Sequence, residues 1–138
     1  MKAGQTSDGG YPDEVVRRFP KDVDAPRGAR ALLEEISAGV SEGDCADLNI
    51  AVSELVTNAV VHGSGMVTVR VCRDSDAVRI EVIDDGGRPF AWPEPPAVDH
   101  DGGWGLHVVE TFTDRYGIDL EHSTMVWCEK DLEPAPSG

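Results

Sequence analysis

Hydrophobic and polar positions along this chain follow two rhythms. Between about Cys45 and His62, Leu48, Val52, Leu55, Val56 and Ala59 fall on one stripe at a spacing of about 3.6 residues, which predicts an amphipathic helix ended by Gly63. A second helical pattern runs through ARALLEEISAGV, with Asp24 as its N-cap, Pro26 in the first turn and a stop near Gly39; a Ser-Glu-Gly-Asp turn follows. Strict alternation over Met66–Cys72 and Val78–Ile83, around Arg-Asp-Ser-Asp, predicts an antiparallel hairpin. Further strands are predicted at Glu14–Phe19, Tyr116–Leu120 and Thr124–Glu129, the last two paired across Glu-His-Ser, and a helix over Gly105–Asp114. Glycines and prolines crowd residues 84–103 and make that stretch a long loop, of the kind that in compact domains is functional or disordered. The order strand, helix, helix, strand, strand, loop, helix, strand, strand predicts an α+β two-layer sandwich. Its helices cover one face of a mostly antiparallel, mixed sheet.

Composition narrows the picture. The 138 residues suit one domain, and 40% hydrophobic with 28% charged residues is enough to build a core. Residues 1–12 and 131–138 read as flexible tails around a folded domain spanning 13–130, and no repeat of fixed period is present. Twelve Lys and Arg against twenty-six Asp and Glu leave a net charge of −14, more of it in the second half, with no basic stripe. Direct nucleic-acid binding and attraction to anionic membranes are therefore not expected, and a protein partner is expected to present a cationic face. Cys45, Cys72 and Cys128 match neither a disulfide framework nor a zinc site and read as buried free thiols. With no signal-peptide core at the start and no run of ~18 apolar residues, a cytoplasmic location is expected.

Three segments could carry chemistry. On the helix SELVTNAVVHG, Glu54 and Asn58 lie about 40° apart, at the edge of the apolar stripe rather than opposite it. A carboxylate and a carboxamide so placed can hold a divalent ion beside a reacting hydroxyl; boundary residues bonded to loops would look the same. Asp84-Asp85-Gly86-Gly87 ends a predicted strand, where a carboxylate can accept from an exocyclic amine and glycine lets backbone approach a ligand, although Asp-Gly is also ordinary turn chemistry. Gly102-Gly103-Trp104-Gly105-Leu106 opens a helix, and unhindered N–H groups at a helix N-terminus suit phosphate as well as a simple turn. The glycines form neither a dinucleotide fingerprint nor a G-K-[ST] phosphate loop. His62 and His107 have no partner at triad spacing and read as structural.

Taken in order, an E-L-x-x-N-A helix, a strand ending D-x-G, a loop, G-x-G-L opening a helix and a threonine in a late strand resemble the GHKL ATPase superfamily. SELVTNAVVHG and the ending GLHVVETFTDRYGI…STMVW look most like its small stand-alone bacterial members, the anti-sigma-factor serine kinases, over roughly Glu14 to Lys130. The resemblance implies the histidine-kinase-like (Bergerat) fold with about three helices, ATP and Mg²⁺ as cofactors, and an anti-sigma-factor antagonist and a sigma factor as protein partners; a homodimer is compatible with it. Glu54 matches the carboxylate that polarises the attacking hydroxyl, and Asn58 the Mg²⁺ ligand. Asp84 matches the acceptor for the adenine amino group, with Gly86 giving the base room and Thr124 supporting that contact. Gly103, Gly105 and Leu106 match the segment whose backbone faces the phosphates.

The match has departures. Arg88 stands where the family's D-x-G-x-G has its second glycine, and His122-Ser123 where relatives carry Gly-Lys. Between Arg88 and Arg115 there is no Lys or Arg, although phosphoryl transfer relies on cations that neutralise developing charge. The expected activity is a MgATP-dependent protein serine/threonine kinase; the alternative is a nucleotide-dependent binding module without transfer, and a degenerate interaction scaffold is a third reading. No phospho-accepting histidine helix precedes the site, so a complete sensor histidine kinase is not expected.

Overall fold

The computed structural model describes residues 13–86, 105–121 and 123–134. Gly103, Arg88, Trp92, Trp104, His122, the segments 1–12 and 135–138 and most of the predicted long loop lie outside the described residues. Five strands form one sheet: β1 (Asp13–Phe19), β2 (Val67–Arg73), β3 (Ala77–Asp84), β4 (Arg115–Asp119) and β5 (Thr124–Asp131), in the order β1-β2-β3-β5-β4. Every described pairing is antiparallel. Helices α1 (Ala25–Glu34), α2 (Glu42–His62) and α3 (Gly105–Phe112) cover one face.

The alternation read from the sequence sorts the sheet into two faces. Val69, Val71, Ile80, Val82, Val126 and Cys128 point at the helices and are buried, as are Leu32 and Leu33 of α1 and Leu48, Val52, Leu55 and Val56 of α2. Each such fully buried Val or Leu contributes roughly 1.5–3 kcal/mol of hydrophobic stabilisation. The opposite face carries a ladder of ion pairs. Arg70 and Arg79 both meet Glu81, at 3.2 and 2.7 Å, and Arg79 and Arg115 both meet Glu129, at 2.8 and 2.6 Å. The Arg79 guanidinium also stacks over Trp127, 4.3 Å from the ring centroid.

Several local details differ from the expectation. The Ser-Glu-Gly-Asp turn is the first turn of α2: Ser41 Oγ accepts the Asp44 N–H at 3.1 Å, and Glu42 and Asp44 lie at the positive end of the helix dipole. Asp24 stands at the N-cap position of α1 as expected, but its backbone is already helical and its side chain makes no capping bond; Asp22 Oδ1 accepts the Asp24 N–H at 2.9 Å. Helix α1 stops at Glu34, and the chain then turns through Gly39, whose φ of +80° suits glycine. Cys72 and Cys128 are buried free thiols as expected, whereas Cys45 is half-buried.

Strand β5 runs one residue past the expected domain boundary. Leu132 packs against the core and its N–H donates to Asp76 O at 2.8 Å, while the Glu133 N–H donates to Asp44 Oδ2 at 2.8 Å. Asp44 is itself buried and 3.5 Å from Lys130 Nζ, so the start of α2 and the end of the sheet share one polar anchor.

Candidate functional site

Asp84 is the last residue of β3, directly opposite Thr124 at the start of β5. Both side chains are buried, at 7% and 8% exposure, which is costly for a carboxylate unless it is hydrogen-bonded. One oxygen is satisfied locally, since Asp84 Oδ1 accepts the Gly86 N–H at 2.6 Å. That bond needs a left-handed residue at the bend, and Gly86 has φ +72°. A Cβ there would lie 3.3 Å from the Thr124 nitrogen and 3.4 Å from its hydroxyl oxygen, so Gly86 lies close over Thr124. Thr124 lies in a separate segment from Asp84 and Gly86, and the strand pairing brings it to them.

The end of α2 is joined to the same corner. The Gly63 N–H closes the helix on Ala59 O at 2.8 Å, and its Cα lies against the Asp84 carboxylate. Ser64 Oγ donates to Gly86 O at 2.6 Å, and the Asp85 N–H donates to Ser64 O at 2.9 Å. Lys21 Nζ completes the junction by donating to Gly63 O at 2.6 Å. The sequence pattern identified Gly63 only as a helix stop and gave Ser64 no role. Their signal was the short polar link after the helix, whose partner on the other segment no local pattern names.

Glu54 and Asn58 are half-buried, one turn apart on α2, at the margin of the core stripe as expected. Asn58 precedes Gly63 by five residues, roughly 7–8 Å of helix axis, so the junction fixes Glu54 and Asn58 relative to Asp84. Helix α3 starts at Gly105, packs on α2 and buries Leu106 at 3% exposure, so Leu106 anchors the first turn of the helix. Gly103 lies outside the described residues. His107 Nδ1 is 3.0 Å from Glu110 Oε2 along α3, and His62 sits exposed in the last turn of α2. Neither histidine is assigned a part in the site.

Among the described residues no group of three or more His, Cys, Asp or Glu is placed to hold a metal ion. Mg²⁺ does not need one, because it takes oxygen ligands and is commonly held by one or two protein donors together with substrate phosphates and water. The half-buried carboxylate of Glu54 and carboxamide of Asn58 fit that donor chemistry.

Residues 19–130 match the family described as the histidine kinase-like ATPase domain. The chain belongs to that family. Similar proteins include serine-protein kinase RsbW of Oceanobacillus iheyensis, 29% identical over 136 residues with 86% of each chain covered. RsbW of Bacillus licheniformis is 35% identical over 112 residues, covering 68% of this chain and 69% of that one. An anti-sigma F factor of Clostridium beijerinckii is 27% identical over 121 residues, covering 78% and 82%. Among solved structures, the RsbU and RsbW domains of Rv1364c from Mycobacterium tuberculosis superimpose with a TM-score of 0.67 at 26% identity. That match covers 91% of this chain and 34% of the other, so this chain spans about a third of that protein's length. The two-layer fold is thus that of a histidine kinase-like ATPase domain, and membership implies ATP as the nucleotide. Among the described residues no helix is long and apolar enough to cross a membrane.

Proposed function

We propose that this domain binds ATP with Mg²⁺ and transfers the γ-phosphoryl group to a serine of a protein antagonist, while the same domain sequesters a sigma factor. The observation that carries the reading is the junction at Gly63, which joins the helix bearing Glu54 and Asn58 to the buried Asp84, Gly86 and Thr124. Asp84 accepts a hydrogen bond from the adenine amino group, Gly86 leaves room for the base, and the Thr124 hydroxyl supports the contact. Gly103, Gly105 and Leu106 form the segment that meets the phosphates. Asn58 holds Mg²⁺, which when bound neutralises charge on the phosphates. Glu54 accepts the serine proton as the serine oxygen bonds to the γ-phosphorus, the bond to the β-phosphate oxygen breaks, and ADP leaves. The relatives named serine-protein kinase and anti-sigma F factor support this choice of acceptor and partner.

The test is transfer of labelled γ-phosphate to the cognate antagonist, with Glu54→Gln and Glu54→Ala beside the parent chain. Loss of transfer with MgATP binding retained is expected. Equal transfer by Glu54→Ala removes Glu54 from this role. A second reading, a nucleotide-dependent binding module without transfer, is favoured by one feature: none of the described residues assigned to the nucleotide, Mg²⁺ or the acceptor hydroxyl is Lys or Arg. Saturable MgATP binding with no turnover in the presence of the antagonist selects it.

A further inference from the structure

Two carboxylates and a helix end converge on the corner that joins α2 to β3. The carboxylate of Asp84 lies against Gly63, that of Asp85 lies against Gly65, and the last carbonyls of α2 bring the negative end of the helix dipole to the same place. Such groups repel one another, yet a carboxylate that reads a base has to keep one orientation. Among the described residues, one hydrogen bond brings a Lys or Arg side chain to this corner: Lys21 Nζ donates to Gly63 O at 2.6 Å. Lys21 sits in the link between β1 and α1, 42 positions earlier in the chain.

The bond acts on more than the carbonyl it meets. Gly63 O belongs to the planar peptide that joins Gly63 to Ser64, so the ammonium fixes the direction in which Ser64 leaves the helix. Ser64 then holds the bend after β3 twice, through Oγ to Gly86 O at 2.6 Å and through its own carbonyl to the Asp85 N–H at 2.9 Å. Gly86 in turn gives its N–H to Asp84 Oδ1 at 2.6 Å. A path of hydrogen bonds, with one peptide linkage in it, thus runs from Lys21 to the Asp84 carboxylate. A cation at a helix C-terminus is favourable in itself, and here it also offsets the charge of the two carboxylates.

We propose that Lys21 is a positioning residue for the base-reading carboxylate: without touching the nucleotide, its ammonium holds the Gly63–Ser64 link and so sets Asp84 in the orientation that accepts the adenine amino group. The proposal rests on the reading of Asp84 given above. Lys21 acts at the base end of the ligand and has no contact with the phosphates, so its loss should weaken adenosine and ATP by the same factor. Exposure of Lys21 to water limits that factor to about threefold to tenfold, between the effect of a surface charge contact and that of a protected hydrogen bond from a charged group.

The test is a calorimetric titration of the full chain carrying Lys21→Met, which keeps an apolar stem and removes the ammonium, Lys21→Arg, which keeps the charge, Asp84→Asn, or Lys21→Met with Asp84→Asn. MgATP affinity is measured for the parent and all four, adenosine affinity for the parent and the three single variants, each at a temperature where a melting curve shows the chain folded. Adenosine and MgATP are expected to weaken together in Lys21→Met and to recover in Lys21→Arg. In the Asp84→Asn background, Lys21→Met should change MgATP affinity by less than about twofold, because the group it orients is already altered.

A lysine that only stabilises the fold lowers the melting temperature and leaves both affinities where they were, and that result overturns the proposal. So does a loss confined to MgATP, which makes Lys21 a phosphate contact, or a Lys21→Met effect of equal size with and without the Asp84 carboxylate. Asp84→Asn separates the two readings. If it leaves MgATP and adenosine binding unchanged, the assignment of Asp84 to the base fails and the proposal fails with it. If it weakens both while Lys21→Met changes neither, Asp84 keeps its role and Lys21 alone is removed.

Discussion

Gly63, the residue that ends the helix bearing Glu54 and Asn58, lies against the carboxylate of Asp84, the residue that ends β3. A methyl group at Gly63 would lie 2.7 Å from Asp84 Cγ and 2.6 Å from the carbonyl oxygen of Ala59. The backbone at Gly63 has φ −84°, so glycine is required by space and not by conformation. Gly63→Ala should therefore push α2 and β3 apart, at a cost of roughly 1–3 kcal/mol, the usual range for overpacking. Because the displaced group is the proposed adenine acceptor, ATP affinity should fall together with stability. Thermal denaturation and a nucleotide titration check this, and an unchanged affinity in a destabilised variant would separate the junction from the site.

Asp84 itself offers a sharper test. Its carboxylate can only accept, which suits the amino group of adenine and opposes the carbonyl of guanine at the same place. Asp84→Asn keeps an oxygen for the Gly86 N–H and replaces the other oxygen by a donor. ATP binding is expected to weaken roughly tenfold to a hundredfold, the range for one hydrogen bond to a charged group, while discrimination against GTP shrinks. Competition titrations with both nucleotides measure it. An ATP:GTP ratio unchanged by the substitution would mean that Asp84 does not read the base.

Much of this architecture is legible in local patterns, and the reason is physical. Leu48, Val52, Leu55, Val56 and Ala59 are buried because a helix repeats every 3.6 residues or so, and the hairpin Val67–Arg73 with Ala77–Asp84 follows from its alternation. The same period places Glu54 and Asn58 at the stripe's edge. What local pattern does not carry is contact between distant segments. Ser64 to Gly86, Lys21 to Gly63 and Arg30 to Ser53 each join residues more than twenty positions apart, so no local window contains both partners. Ser41 was legible in principle, as a serine followed three residues later by an acidic residue, but the glycine in between made the segment look like a turn.

Ser41 accordingly gives a prediction about the scaffold alone. Ser41→Ala removes the acceptor for the Asp44 N–H and should cost about 1 kcal/mol. A melting temperature lower by roughly 2–5 °C is expected for a domain of this size. Nucleotide affinity should not move, because Ser41 caps the far end of α2 from Asn58. A matching loss of affinity would show that the helix transmits strain along its whole length.

The thiols predict an alkaline limit to stability. Burial pushes Cys72 up to about 11 and Cys128 up to about 12. Both values lie above that of an unfolded thiol, so the folded state holds its protons more tightly. Stability is unaffected while both states are protonated, below the unfolded value, and is lost as pH rises through the folded values. The melting temperature should therefore fall between roughly pH 9 and 12 more steeply than in Cys72→Ala/Cys128→Ala, which itself starts lower at neutral pH. On the native protein at neutral pH, a thiol reagent should label Cys45, the half-buried one, and spare the other two. Stoichiometric labelling of all three without denaturant would contradict the buried assignment.

The net charge of −14 makes the last prediction, that nucleotide binding depends strictly on Mg²⁺. ATP is itself strongly anionic, and the described residues assigned to its site, Glu54, Asn58, Asp84, Gly86, Gly105, Leu106 and Thr124, bring two carboxylates and no cation. Backbone N–H groups at the start of α3 attract phosphate, but a helix end carries only about half a unit charge. The remaining repulsion must be removed by the metal ion. EDTA should therefore abolish ATP binding in a calorimetric titration, with Mg²⁺ restoring it, and Asn58→Ala should require a higher Mg²⁺ concentration for the same occupancy. Adenosine, which has no phosphates, should bind weakly but equally with and without EDTA. If ATP binds as tightly in EDTA as in Mg²⁺, cationic groups outside the described residues supply the missing charge, and Asn58 is not a metal ligand.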